Sequence, residues 1–284
     1  MSLLVFTDLD GSLMEHESYS IAAAAPALAA LREREILMVL NSSKTAAEMQ
    51  AVQTRLSLTA PFVCENGAAL FFPDQTTADA ATVFGALRDD WLPQVHALRE
   101  QHGYPFEGFA DWSAKQVSEL TGLEEPEADL ARQRQFSEPI LWRGAASSRQ
   151  QFEQQLAGMD LSLLEGGRFL SIQGQHDKSN AMTWLRDQLK QQLRERSTEQ
   201  SLEQQQSADV EVITVALGDS PNDAAMLEAA DVAVIIKSAK SDRIKLHQPS
   251  RIIRTSRPGP AGWKDAMLEI LQLLDSGNLA ANGS

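Results

Sequence analysis

The chain has 284 residues, 43% of them hydrophobic and 23% charged, enough for one large domain or two moderate ones around a sizeable core. Its 25 basic and 39 acidic side chains leave a formal charge of −14, a field that repels nucleic acid and anionic lipid. Any phosphate-handling site must therefore recruit local positive charge or a cation. The single cysteine, Cys64, excludes an internal disulfide and fits a cytoplasmic setting. No apolar run is long enough to cross a membrane and no basic leader precedes the first strand, so neither export nor a membrane partner is expected.

In chain order, Leu3–Thr7 reads as a short, continuous, buried strand. Ile21–Glu35 reads as an alanine-rich helix that Pro26 interrupts or restarts. A second apolar run, Ile36–Leu40, leads into the polar turn "NSSKT" and a helix from Thr45 to Leu58, and Pro61–Cys64 supplies a third strand before "ENGA". This strand–helix alternation indicates a parallel sheet with crossover helices.

From Thr82 to Gly167 the text turns helix-rich and is punctuated by Pro93, Pro105, Pro126 and Pro139. "PILWR" and "LSLLEGGRFLSI" read there as strands around a helix at Ser147–Gly158, a smaller α+β unit set into the first. The α/β rhythm then resumes. Ser179–Arg194 is helical, and the polar Arg196–Asp209 is a mobile loop or a solvated helix extension. Val212–Leu217 is a strand, Pro221–Ala230 a helix, "VAVII" and "RIIRT" two further strands, and Trp263–Leu274 the last helix before a frayed tail.

The chemistry concentrates where these strands end. Asp8 and Asp10 close the first, and the period of two along a strand predicts that both project to one side. In open parallel sheets ligands bind at the carboxyl ends of the strands. Two close carboxylates need a cation between them or a retained proton, which divides them into nucleophile or metal ligand on one hand and general acid/base on the other. Asp-x-Asp-Gly is also common turn chemistry.

A later strand ends in Asp219, with Asp223 four residues on; Ser220 suits an N-cap and Pro221 the first helical position. Two strands ending in acids predict an oxygen-ligand site for a hard cation, for which Mg²⁺ is suited. Ser42 and Ser43 offer hydroxyls and N–H groups at a helix start, a ready anion site that Lys44 assists, unless they serve only as caps. Lys178 stands just before a helix, where its charge does not help that helix; neutralising a phosphate is one reason for it, solvation at the surface another. His176 reads as solvent-facing or as a helix-start contact.

Taken in this order, the pieces resemble the haloacid dehalogenase (HAD) superfamily of phosphatases. Its pattern is Asp-x-Asp-x-Thr, a Ser or Thr after the second strand, a Lys, then Gly-Asp-x-x-x-Asp. Here these stand as Asp8-Leu9-Asp10-Gly11-Ser12, Ser42, Lys178 and Gly218-Asp219-Ser220-Pro221-Asn222-Asp223, with Ser12 in place of the usual Thr. The resemblance implies an α/β fold: a Rossmann-like parallel-sheet core, residues 1–82 and 168–284, with a C2-type α+β cap inserted at residues 83–167.

It also implies roles. Asp8 attacks phosphorus to form an aspartyl-phosphate. Asp10 protonates the leaving alkoxide and then deprotonates the hydrolytic water. Asp8, the Asp10 carbonyl and Asp219 hold Mg²⁺, with Asp223 acting directly or through water. Ser42 and Lys178 grip the phosphoryl oxygens.

"LNSSKT", "ENGAAL" and "GGRFLSIQGQHDKSNAM" are most similar to mannosyl-3-phosphoglycerate phosphatases, and Ser42-Ser43-Lys44 stands where related sugar phosphatases show Thr-Gly-Arg. The implied substrate is a phosphorylated glycoside, with glucosyl-3-phosphoglycerate or another sugar phosphate as alternatives and a non-catalytic sugar-phosphate-binding protein as a third. Substrate contacts are then expected from Ser43, Lys44, Asn66, Gly67 and Asn222, with Arg168 and Gln173 reaching a glycerate carboxylate and Arg143 the other candidate for that carboxylate. A monomer or homodimer is expected.

Overall fold

The computed structural model describes residues 2–16, 18–73, 81–166, 168–201, 211–249 and 251–279. In chain order the strands are β1 (Ser2–Thr7), β2 (Leu37–Asn41), β3 (Phe62–Cys64), β4 (Ala69–Phe71), β5 (Thr82–Val83), β6 (Phe106–Gly108), β7 (Ser137–Trp142), β8 (Ser162–Glu165), β9 (Leu170–Gln173), β10 (Val212–Gly218), β11 (Val232–Lys237) and β12 (Arg251–Pro258). The α-helices are α1 (Ala25–Glu33), α2 (Ala46–Leu56), α3 (Arg88–His102), α4 (Ala114–Thr121), α5 (Glu125–Arg132), α6 (Ala146–Ala157), α7 (Ser179–Ser201), α8 (Ala224–Ala229) and α9 (Gly259–Asp275). Two compact units result: Met1–Ser42 with Ala60–Phe62 and Lys178–Ser284, and Ser43–Thr59 with Val63–Asp177.

In the first unit five parallel strands run in the order β12-β11-β10-β1-β2. The expected α/β class with a mainly parallel sheet is borne out. β1 and β10 read as unbroken apolar runs because both faces are covered, and every residue of β10 is buried. They pair in register from Ser2 opposite Val212 to Thr7 opposite Leu217, so both chains reach the carboxyl edge side by side. Pro26 falls in the first turn of α1, behind a 3-10 turn at Ala22–Ala24, where its missing N–H costs nothing.

The final helix starts four residues earlier than expected, at Gly259, because Pro260 is tolerated in a first turn. Its Trp263 is fully buried and donates from Nε1 to Thr7 Oγ1 at 2.9 Å, tying α9 to the end of β1. The tail expectation fails for its first four residues. Gly277 takes φ +72°, the chain turns back, Asn278 N donates to Leu273 O, and Leu279 is buried again. Residues 280–284 lie outside the described residues. The polar segment after Arg194 continues α7 as helix through Ser201, and residues 202–209 lie outside the described residues.

The second unit carries an antiparallel sheet in the order β6-β7-β9-β8 and a short antiparallel pair, β4 with β5, that the sequence did not announce. Two aromatic clusters form its core. Trp91, Tyr104, Phe106, Ile140 and Phe152 meet in one, and Phe109, Trp112 and Val117 in the other. Helices α2 and α4 open with capping boxes, Thr45 with Glu48 and Ser113 with Gln116.

Trp263→Phe removes the indole bond and leaves Thr7 Oγ1 without that donor. A loss of about 1–2 kcal/mol is expected, read as a lower urea midpoint at unchanged slope.

Candidate active site

β1 and β10 end one residue short of the acids. Asp8 N still donates to Leu217 O at 2.8 Å, which carries the ladder onto the first carboxylate. Asp8, Asp219 and Asp223 are all buried, and each offers a carboxylate oxygen within 4.8 Å of the others. Asp223 reaches this place because Ser220 caps a 3-10 turn, Pro221–Asp223, whose first position Pro221 fills. The turn runs into the short helix α8.

Two glycines admit the cluster. A Cβ at Gly218 would lie 2.5–2.7 Å from Asp223 Cβ, Cγ and Oδ2, so only glycine lets that carboxylate press on the strand end. Gly11 takes φ +81°, and a Cβ there would meet Asp219 Oδ2 at 3.0 Å and His16 Nε2 at 2.4 Å.

Lys178 completes the group. It is buried, and Nζ donates to Asp8 Oδ1 at 2.6 Å and Asp223 Oδ1 at 2.7 Å. Burial alone would lower its pKa, but Asp223 and Asp8 outweigh that, so the ammonium keeps its proton more tightly than an ordinary lysine. The other oxygen of Asp223, Oδ2, accepts from the N–H groups of Asp219 and Ser220, each at 3.0 Å. Asp223 is thereby held on both sides.

Burial raises the pKa of Asp8, and repulsion from Asp223 and Asp219 raises it further against the pull of Lys178. Burial and Asp223 lift Asp219 to about 6. Three buried carboxylates against one ammonium leave a deficit of positive charge that a divalent cation would fill, and the all-oxygen donors suit Mg²⁺.

Asp10 lies where the strand geometry has ceased. Beyond Asp8 the chain turns, with Leu9 O accepting from Ser12 N and Met14 N, so the period-two projection from Asp8 to Asp10 does not hold. Asp10 is half-buried, forms an isolated bridge with Met14, and its carboxylate is outside the acidic cluster. Ser42 is buried directly after β2. Asn222 is exposed, and its Oδ1 accepts from Ser220 Oγ.

The remaining expected residues belong to the second unit. Ser43 is exposed, and its carbonyl accepts from Arg134 at 3.1 Å; the Lys44 carbonyl accepts from Glu65 N at 2.9 Å. Asn66 and Gly67 are buried in a turn where Glu65, Asn66 and Gly67 all take positive φ. Asn66 Nδ2 donates to Gln173 Oε1 at 3.2 Å, and Gln173 Nε2 to the His176 carbonyl at 2.8 Å. Arg168 is exposed and donates to Leu120 O instead, while the exposed Arg143 pairs with Glu107 at 2.5 Å.

Sequence reasoning passed over three contributors. Asn41, fully buried at the end of β2, donates from Nδ2 to the Lys178 carbonyl at 2.8 Å and so locates the lysine. A polar residue closing an apolar strand was the available signal, as with Asp8 and Asp219. Glu65 is buried and accepts from Gln135 N, Phe136 N and Ser137 Oγ at 2.7–3.1 Å. His176, expected to face solvent or to make a helix-start contact, does not face solvent: it is buried. Its Nε2 lies 3.1 Å from the Glu65 carbonyl, which can only accept, so that nitrogen carries the proton. Burial lowers its pKa and keeps the ring neutral.

Residues 5–86 match the family model of haloacid dehalogenase-like hydrolases. A phosphatase of the haloalkanoate enzyme superfamily from Bacteroides thetaiotaomicron shares the fold at TM-score 0.64 and 15% identity, over 98% of this chain and 96% of that one. A subclass IIB sugar phosphatase of the same superfamily aligns at TM-score 0.62 and 14% identity, over 96% and 99%. A protein from Thermotoga maritima aligns at 0.62 and 15%, over 95% and 98%.

A carboxyl raised in the folded state binds protons that the unfolded chain releases, so it destabilises the fold as pH rises between the two pKa values. In EDTA, the urea midpoint is expected to fall as pH rises from about 4 to about 6, the window set by Asp219, and Mg²⁺ is expected to restore it. Gly218→Ala, which drives a methyl into Asp223, is expected to abolish the Mg²⁺-dependent rise. From within its first strand to just past its fifth, this chain is similar to the haloacid dehalogenase-like hydrolases, and along most of its length its fold resembles that of phosphatases of that superfamily.

Proposed function

We propose that the protein is a Mg²⁺-dependent phosphatase that converts mannosyl-3-phosphoglycerate to mannosylglycerate and phosphate in the cytoplasm. The observation that carries this reading is the set of Asp8, Asp219 and Asp223 gathered around Lys178 at the ends of two adjacent parallel strands. The subclass IIB sugar phosphatase with the same fold supports the reaction class. Ser42-Ser43-Lys44, with "ENGAAL" and "GGRFLSIQGQHDKSNAM", supports the glycosyl-phosphoglycerate.

In this reading an Asp8 oxygen attacks the phosphorus in line, and the bond to the glycoside oxygen breaks. Asp10 delivers a proton to that departing alkoxide. It then takes one from the water that cleaves the aspartyl-phosphate, which returns Asp8 as carboxylate. Lys178 neutralises phosphoryl charge as it now neutralises Asp8, and Ser42 donates from its hydroxyl or N–H. Asp8, the Asp10 carbonyl and Asp219 would hold the Mg²⁺, which supplies electrostatic stabilisation of the phosphoryl oxygens. Asp223 fixes Lys178 and would act on the ion directly or through water. Asn66, Gly67 and Gln173 are the candidates for substrate contacts, and residues 83–167 for the cap.

Phosphate release from mannosyl-3-phosphoglycerate, glucosyl-3-phosphoglycerate and hexose phosphates tests the reading. Turnover is expected for the first, lost in EDTA and in Asp8→Asn with the fold intact. Asp10→Asn is expected to lower kcat by roughly 10²–10⁴. Faster turnover of plain hexose phosphates would overturn the substrate, and binding without phosphate release would overturn the enzyme.

A further inference from the structure

The chain's charge is unevenly placed. Between residues 237 and 257 stand seven of its 25 basic side chains and, in Asp242, one of its 39 acidic ones, which leaves the rest six charges more negative than the total of −14. The basic residues are Lys237, Lys240, Arg243 and Lys245, then Arg251, Arg254 and Arg257 on β12; all but the half-buried Arg251 are exposed. Arg257 pairs with Asp265, and Arg254 donates to the Ile244 carbonyl at 2.9 Å, with no ion pair among the described residues. Among the described residues, no carboxylate comes within ion-pair distance of Lys237, Lys240, Arg243 or Lys245.

Both ends of this segment touch the loops that carry the acids. Ser238 Oγ donates to the Asp219 carbonyl at 2.7 Å and accepts from Lys240 N at 3.1 Å. At the other end, a Cβ on Gly259 would lie 4.0 Å from the Gly11 carbonyl. Lys237 and Lys240 are one and two residues from Ser238, so their α-carbons lie within about 8 Å of its own, one screening length at physiological salt. Charges on an edge strand also discourage pairing with another chain. That purpose is served by either sign, and it does not account for Lys240, Arg243 and Lys245, which lie off the strands.

We propose that the carboxyl-edge part of this segment, Lys237, Lys240 and Arg243, guides multiply anionic phosphate esters to the carboxylate site against the repulsion of the rest of the surface; Arg251, opposite Val232, stands at the far edge of the sheet and takes no part. The inference rests on the phosphatase reading and sharpens its substrate class. A guide of this kind favours esters with a further carboxylate over plain phosphate monoesters, because its pull grows with ligand charge.

The test compares wild type with Lys237→Gln/Lys240→Gln/Arg243→Gln on p-nitrophenyl phosphate and mannosyl-3-phosphoglycerate, across ionic strength. At low salt the triple variant is expected to lose about three- to tenfold in kcat/KM with kcat unchanged, more on the carboxylate-bearing ester, and the difference is expected to vanish by about 0.5 M salt. Equal kcat/KM and equal salt dependence in an active enzyme would overturn the guide alone, as would aggregation of the variant without kinetic loss. A loss carried by kcat would overturn it too, by revealing a structural defect. Absence of phosphate release by wild type would overturn the phosphatase reading and the guide with it.

Discussion

Three carboxylates around one ammonium, shut away from water, is the arrangement on which the rest depends. Each of Asp8, Asp219 and Asp223 is costly to bury ionised, and Lys178 relieves only part of that cost. The surrounding scaffold reads as the means of tolerating it. Parallel pairing of β1 with β10 delivers two of the acids side by side, a proline-started turn delivers the third, and Asn41 fixes the main chain from which the lysine reaches in. Elsewhere in the first unit the apolar strands and α9 supply the favourable burial that offsets such a charge cluster.

The electrostatics extend beyond that centre. A protein with this much negative charge is a poor attractor of phosphate esters from a distance, yet Lys237 and Lys240 stand where the chain leaves β11, and Arg257 where it leaves β12, against the loops of Asp219 and Gly11. Short-range complementarity and long-range attraction are thus carried by different residues. The centre depends on buried groups with fixed partners, and the border on exposed ones that salt can screen.

Much of this was legible in the sequence, for identifiable reasons. Buried parallel strands appear as unbroken apolar runs, and an acid closing such a run stands out; Asp8 and Asp219 could be read in that way. Asp223 was equally visible through the Ser-Pro start of its turn. The period-two argument for Asp10 misled, because a strand's alternation has no authority once the chain turns at Leu9. Asn41 escaped because an amide attracts less notice than an acid. Glu65 and His176 escaped because their partners, residues 135–137 for the first and the Glu65 carbonyl for the second, are set by tertiary packing that no local pattern records. The tail misled by composition alone: Gly277 and Asn278 look like loose ends but turn Leu279 back onto the core.

The double anchoring of Asp223 has a consequence for how the site is aimed. With one oxygen on Lys178 and the other on two main-chain N–H groups, this residue needs no ion to keep its place. Both groups that hold it belong to the chain itself, so the direction of this carboxylate is set by the fold of its turn and by the lysine, and not by whatever it later binds.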